Sequence, residues 1–500
     1  MRVYEDERAP GTLDEITLYN RNSLEQVSSI QQEDPNNNYN VVRTESYLYN
    51  AYDDLTSVMI TPGPGNAASA TATYNFQTVQ LANGSMFDEL TSVVDPLQNT
   101  TVYGYDPAGT GNVVTVTDPM QRVWRYTYYP NGEVATATDP KQNPPTQYTY
   151  TAGGDLQTVT DPLGHVTTFG YTGDQLGRVT SVTAPAGDIT QYAYDALDDI
   201  TSTTDPNGNV SSATYDLLGE LASRTDPKGN TTTYTRPYTL NKLTVCDALN
   251  KCEVTDYDPS GNTSDFTDRN NLKTVIVYDK LRRITHYEYQ TYIYTIPPYW
   301  STTREANVTS YDALDRPLAV TDDGGGAGGG IGTAGNSINY TYDTVDNVMS
   351  EATAYTTGGY SGNVSYTYDK DSRPTSISET QNSQTAAYTY CYDNDSELVY
   401  VYSVVGASCG SGTPIATLGY DNDGNRSRLT VAASGSPVIT GYGYDAASRL
   451  KSQAFSAGAN NLGSLNYGYD LDSRVNSETG TLANITLPPS VSSITYTATN

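Results

Sequence analysis

The chain is poor in the residues that build thick cores and reactive centres. Its 500 residues include 5 Phe, 2 Trp, 5 Met, 4 Cys and 2 His. Two histidines leave little material for Ser/His/Asp or Cys/His catalysis, which needs a base within reach of a nucleophile. They also argue against zinc, since neither lies near a cysteine pair. Basic residues are scarce as well: 27 Lys+Arg stand against 57 Asp+Glu, a formal charge of −30. That deficit argues against nucleic acid and anionic membranes as partners, because neutralising phosphate takes Lys and Arg. No apolar run approaches the length of a membrane span, so no membrane insertion is expected. No secretory signal is visible, because Met1-Arg2-Val3-Tyr4-Glu5 runs straight into acidic and polar residues. The expectation is export by another route, or an internal piece of something longer.

What the chain does have is tyrosine, 45 of them, with abundant Thr, Ser, Val and Gly. Tyrosine is an amphipathic strand former, with a ring that packs and a hydroxyl that needs a partner. This mixture suits twisted sheets with at least one wet face and suits a helical core poorly. The many carboxylates read as turn residues and solvated faces.

The turns reveal the organisation. Asp195-Ala-Leu-Asp198 is followed by Asp205-Pro-Asn-Gly208, Asp216-Leu-Leu-Gly219 and Asp226-Pro-Lys-Gly229. Asp247-Ala-Leu-Asn250, Asp258-Pro-Ser-Gly261, Asp268-Arg-Asn-Asn271 and Asp279-Lys-Leu-Arg282 continue the series, with adjacent starts 10 or 11 residues apart. One expected turn, near Pro237, lacks its Asp. Asp at the first position accepts from nearby backbone N–H groups, Pro at the second pre-sets φ, and Gly at the fourth is a type I turn preference. Between turns lie short Tyr/Thr/Val segments, so the spacing predicts an all-β meander of tandem hairpins.

Two strands and two turns make a unit of about 21 residues. Asp-Pro turns start at 95, 118, 139, 161, 205 and 226, with Ala184-Pro185 holding one more place. Tyrosines keep the same period at Tyr105, Tyr128, Tyr150, Tyr171, Tyr194, Tyr215, Tyr257 and Tyr278. Single hairpins are marginal in water, so the units are expected to add edge to edge into one long curved sheet. Tyr-x-Tyr pairs such as 126/128, 192/194 and 442/444 put both rings on one face. They read as a packing ladder, with an aromatic sugar-binding strip as the alternative.

Four segments follow. Residues 1–90 form an irregular N-terminal piece of β character, with a loop at Pro35-Asn-Asn-Asn38 and a turn at Pro62-Gly-Pro-Gly65. Residues 91–290 carry the strict repeat. Residues 291–337 are an insertion, containing Ile296-Pro-Pro-Tyr-Trp300 and the loop Asp322-Asp-Gly-Gly-Gly-Ala-Gly-Gly-Gly330. That loop lacks the Lys-Ser/Thr of a phosphate cradle. Residues 338–500 carry longer repeats, 24 to 28 residues apart.

The cysteines form two local pairs. Cys246 and Cys252 flank the Asp247–Asn250 turn, and 17 residues separate Cys391 from Cys409. Local pairing points to two disulfides and an oxidising compartment, with four free thiols as the alternative. His165, in Asp161-Pro-Leu-Gly-His165, stands where the repeat usually has Asn or a polar residue and reads as a turn residue. His286 reads as a strand residue without an evident partner. Asp421-Asn-Asp-Gly-Asn425 and Asp393-Asn-Asp-Ser-Glu397 resemble the start of a calcium loop. Arg426 stands where a loop glycine is expected and no bidentate Glu follows, so they read as ordinary turns. No catalytic, cofactor or metal residues are assigned.

The repeat signature is a tyrosine strand running into its turn: Tyr311-Asp312-Ala-Leu-Asp-Arg316, Tyr444-Asp445-Ala-Ala-Ser-Arg449, Tyr420-Asp-Asn-Asp-Gly-Asn425. The same Tyr-Asp pair recurs at Tyr105-Asp106, Tyr194-Asp195, Tyr215-Asp216, Tyr257-Asp258, Tyr278-Asp279, Tyr342-Asp343, Tyr368-Asp369 and Tyr469-Asp470. With the alternating Thr-Asp-Pro-x-Gly turns, residues 90–500 resemble the YD-repeat, or Rhs, family. The resemblance implies repeats that wind into a hollow β-shell. Such a shell commonly encloses a toxic C-terminal domain in bacterial Rhs and insecticidal toxin-complex proteins. In animal teneurins related shells support cell–cell contact. The family usually closes its shell with a segment that carries an autoproteolytic aspartyl site, followed by a variable effector, and neither pattern is expected within these residues. The chain still reads as strand at Ser493-Ile-Thr-Tyr-Thr497.

The expectation is therefore a partial shell that acts as scaffold, not an enzyme and without cofactor. Its partner would be a toxin or effector domain, or the rest of a longer shell, in a secreted or cell-surface setting. An extracellular carbohydrate-binding or adhesion module that meets surface glycans is the second reading. A repeat-bearing hydrolase is the third, and no carboxylate pair stands out to support it.

Overall fold

The computed structural model describes residues 2–5, 15–34, 40–62, 69–80, 86–174, 176–237, 241–279, 281–293, 299–312, 314–322, 335–355, 360–433 and 435–483. The expected features at Pro35–Asn38, 63–65, 296–298, 323–330 and 493–497 lie outside them, as do the three residues after Pro237. Among the described residues 39 strands, from Arg2–Glu5 to Val475–Leu482, belong to one antiparallel sheet, with no helix. None of these residues therefore forms a helix able to cross a membrane.

Residues group into two compact units that cut across chain order. One contains 1–111, 117–120 and 234–387; the other contains 112–116, 121–233 and 388–500. The first unit has the longer strands. Tyr299–Tyr311 runs for 13 residues against Ile284–Ile293, and Ala70–Gln80 for 11 against Met86–Val94. The second unit has the most regular ones. Val179–Thr183, Ile189–Tyr194, Ile200–Thr204, Val210–Tyr215 and Leu221–Thr225 are five or six residues each, and each pairs with the next.

Register follows side-chain chemistry. In Ile189–Tyr194 and Val210–Tyr215 every second residue is half-buried and the others are exposed. Tyr192 and Tyr194 share the half-buried face, as the period of two requires. The register slips by one residue between Ala193 and Tyr194, between Thr214 and Tyr215, and again before Tyr171, Tyr278 and Tyr444. Each slip is a β-bulge, which raises local twist.

There is almost no dry core. Among the described residues only Ala70, Val245, Cys391 and Tyr402 are buried apolar side chains. Hydrophobic burial alone therefore cannot hold the hairpins together, and the turns must contribute.

Candidate functional site

Each Asp-headed turn is a clasp. In Asp205–Asn209 the Asp205 N–H donates to Asn209 O at 2.9 Å, and Gly208 N–H returns to Asp205 O at 2.9 Å. Asp205 Oδ1 accepts the Asn209 N–H at 2.7 Å, and Oδ2 accepts its Nδ2 at 2.8 Å. This is a three-residue hairpin loop, a type I turn followed by a left-handed residue. Gly208 sits at φ 84°, and Asp198, Asn250 and Ser448 hold the same place at 69°, 57° and 56°. The fourth position thus selects for left-handed backbone, a stronger demand than the type I preference the motif suggested.

The fifth position is part of the motif too, and the four-residue reading missed it. In many turns an Asn or Arg there closes onto the other oxygen of the heading Asp, while Asp199, Glu220, Lys251, Leu272 and Glu397 fill the position in others. Arg316 Nε meets Asp312 Oδ2 at 2.7 Å, as Arg449 Nε meets Asp445 Oδ2. The arginines then reach the next unit. Arg316 Nη1 donates to Asp343 O at 2.6 Å and Asp346 Oδ1 at 2.9 Å, with its guanidinium 4.5 Å from the Tyr342 ring. Arg449 lies 5.0 Å over Tyr469 and donates to Asp470 O at 3.3 Å. The recurrence of Asn or Arg four residues after the Asp was the available signal.

The tyrosine hydroxyls explain why the motif uses Tyr and not Phe. Tyr194 donates to Val179 O at 2.8 Å, Tyr215 to Ile200 O at 2.9 Å and Tyr278 to Thr263 O at 3.0 Å. Tyr105, Tyr342, Tyr368, Tyr444 and Tyr469 do the same onto Leu90, Pro317, Val348, Arg426 and Leu450, and Tyr311 onto Ile284. Except for Leu90, which lies midway along Met86–Val94, each acceptor carbonyl stands where the preceding hairpin's second strand begins, so consecutive hairpins are stapled. Burial pushes the hydroxyl pKa of Tyr105, Tyr342, Tyr368, Tyr444 and Tyr469 up.

Within the second unit, turns of 121–233 meet turns of 388–500. Lys141 Nζ contacts Asp393 Oδ2 at 2.8 Å, Asp395 Oδ2 at 3.5 Å and Glu397. Burial opposes the Lys141 charge, but Asp393 and Glu397 outweigh it and raise its pKa. Burial would also raise Asp393, yet Lys141 and the N–H groups of Glu397 and Asp395 hold it low. Asp395 and Glu397 are raised, chiefly by burial. Further along the row Arg449 Nη1 meets Asp188 Oδ2 at 3.2 Å, and Asn207 bonds Asp472. Two open cavities lie on this seam. One of about 490 Å³ is lined by residues including Trp124, Asp139, Asp161, Asp395, Glu397 and Asp423. The other, about 580 Å³, is lined by residues including Asp188, Asp205, Asp472 and Arg474.

The histidines are engaged. His165 Nδ1 lies 2.9 Å from Asp161 Oδ2, taking the role Asn has elsewhere. His286, expected to lack a partner, has Glu288 Oε1 at 3.1 Å two residues along its own strand. Asp421 Oδ1 accepts the N–H groups of Asp423 and Asn425, the clasp geometry of any repeat turn. Disulfides join Cys246 to Cys252, which are directly opposed across their hairpin, and Cys391 to Cys409. Tyr257 and Asp258 stand at the same strand–turn junction, where Asp258 Oδ1 accepts from Ser260 and Asn262.

Residues 173–210 match the family model described as RHS Repeat. No curated protein matches the sequence significantly. Among solved structures, the fold is similar to the crystal structure of TcdB2-TccC3-TEV, with a TM-score of 0.57 at 12% identity over 94% of this chain and 28% of that one. TcdB2-TccC3 without its hypervariable C-terminal region gives 0.51 at 12% identity, over 93% of this chain and 30% of that one. The chain thus spans less than a third of the length of these two structures. Residues 173–210 thus carry an RHS repeat, Tyr-Asp turns like those within it recur on both sides, and the all-β fold is similar to that of the TcdB2-TccC3 structures.

Proposed function

We propose that this chain is a wall segment of a hollow β-shell that encloses or displays a toxin or effector domain carried on other sequence. The observation that carries this reading is where the repeat's side chains go. The motif's Asp, Tyr and fifth-position Asn or Arg bond their own turn or the next hairpin, so the motif builds wall, not a reacting centre. Similarity of fold to TcdB2-TccC3 without its hypervariable C-terminal region fits a wall whose cargo is separate. Two disulfides suit an oxidising setting, so we place the protein outside the cytosol, secreted or at a cell surface.

Electron microscopy of the purified chain, and of the polypeptide it is expressed in, tests this. A curved wall around a lumen, with protease protection of an enclosed domain, is the expected result. A flat or irregular sheet with no lumen in either sample would sink the proposal. Glycan adhesion ranks second, because the second hydroxyl of pairs such as 126/128, 192/194 and 442/444, which would serve a sugar, already serves a carbonyl. Hydrolysis ranks third. Asp395 and Glu397 have raised pKa values, but Lys141 contacts both, which suits a structural cluster.

A further inference from the structure

We propose that Asp161, His165 and Asp423 form a divalent transition-metal site that clamps two rows of turns in the second unit. Each residue offers one ligand atom, and the three atoms lie within 4.8 Å of one another. Asp161 and His165 belong to one Asp-Pro turn, and Asp423 belongs to the Tyr420–Asn425 turn.

The observation that points to a ligand is Asp423. Its side chain is only 8% exposed, and neither carboxylate oxygen has a hydrogen-bond partner. A buried carboxylate without partners is costly unless it is protonated or meets a cation. Its nearest ionisable neighbours from the packed turns are Asp161, Asp421 and His165. The amide of Leu163, which also faces it, is already held by Asp161 Oδ1 at 3.0 Å. Asp423 therefore looks into a pocket that holds one imidazole and a second carboxylate, and no lysine or arginine bonds it.

The spacing suits one ion. His165 Nδ1 is 2.9 Å from Asp161 Oδ2 and 3.6 Å from Asp423 Oδ2. Ligand atoms bonded to one ion at roughly 2.0–2.2 Å stand about that far apart at tetrahedral to octahedral angles. One imidazole and two carboxylates match Zn²⁺ or Mn²⁺ better than Ca²⁺, which takes more oxygen ligands. Asp161 and Asp423 also line the cavity of about 490 Å³, which supplies an entry path and room for water on the open positions. In most other Asp-Pro turns the fifth residue is Asn, as in Asn143 and Asn209, which closes the turn without offering an imidazole.

Titration of the purified protein with Zn²⁺, and separately Mn²⁺, followed by calorimetry and thermal melting, tests the site. One equivalent of either ion should bind and raise Tm. His165→Asn keeps the repeat's own turn residue, so it should fold as the parent does. It should weaken binding at least tenfold and abolish the shift in Tm. Asp423→Asn should do the same, and should melt no lower than the parent in the absence of metal. X-ray absorption of the Zn²⁺ form should show one imidazole in an otherwise oxygen shell. Absence of stoichiometric binding of both ions, or binding equal in the parent and His165→Asn, overturns the proposal.

Discussion

At the scale of single residues, the motif divides labour. The Tyr hydroxyl staples hairpins, so Tyr215→Phe keeps the ring and loses one bond, to Ile200 O at 2.9 Å. Such a bond is worth about 1 kcal/mol net. The expected readout is faster amide exchange across residues 200–221, with exchange in distant hairpins unchanged, because repeat arrays open locally. Gly208 is a cleaner test of backbone. Its φ is 84° and an added Cβ would meet nothing within 4 Å, so any cost is conformational. Gly208→Val should destabilise by about 1–2 kcal/mol, the penalty for a left-handed L-residue. Gly208→Asn should cost much less, because Asn tolerates that region, as Asn250 and Asn271 do here. Chemical denaturation of the two variants side by side checks the ranking. This part of the protein was legible in the sequence because Asp, Pro and Gly each leave a local mark. The fifth-position residue recurs visibly in the sequence, but its role was not legible, because its partner oxygen becomes apparent only once the turn closes.

At the scale of elements, covalent and ionic ties matter because hydrophobic burial is thin. The Cys391–Cys409 bond closes a span of 18 residues and Cys246–Cys252 one of 6. Chain-entropy arguments assign about 3 kcal/mol to the longer span and about 2 kcal/mol to the shorter. Removing both cysteines of a pair by Cys→Ala should therefore hurt more at 391/409, as measured by urea midpoints. The loss there is deepened because Cys391 is the most buried side chain described. The acid-rich seam offers a charge test. Lys141→Met leaves Asp393, Asp395 and Glu397 without their cation, while their side chains are 21%, 15% and 13% exposed. A loss of about 1–3 kcal/mol is expected at neutral pH, discounted from fully buried pairs because Lys141 is partly solvated. Without the lysine all three carboxyl pKa values rise, so acidification protonates them and the deficit should shrink near pH 4. Paired denaturation curves at the two pH values check this.

At the scale of the whole molecule, burial suppresses the ionisation of a subset of the tyrosines, spread along the chain from Tyr47 to Tyr469. Burial, then Glu45 and Glu351, push Tyr47 and Tyr366 up to about 12, and burial raises many of the staple tyrosines. A folded-state pKa above the unfolded value near 10 means the native state holds the phenolic proton more tightly. Stability from these groups is thus fully present below pH 10 and is lost as pH rises through the folded values. In phenolate absorbance and circular dichroism recorded together from pH 9 to 13, the late part of the phenolate rise, above pH 10, should coincide with loss of the strand signal. A phenolate rise that runs to completion with the strand signal intact would contradict it.

The all-β class, the hairpin unit and its Tyr-Asp signature were readable from the residues, because turn chemistry acts over five positions and repeats many times. The encounters of Lys141 with Glu397, Arg449 with Asp188 and His165 with Asp423 were not, since more than 250 residues separate each pair. No local preference encodes such a meeting. It comes from the twist that successive strands and bulges accumulate, which brings one row of turns against another within the second unit.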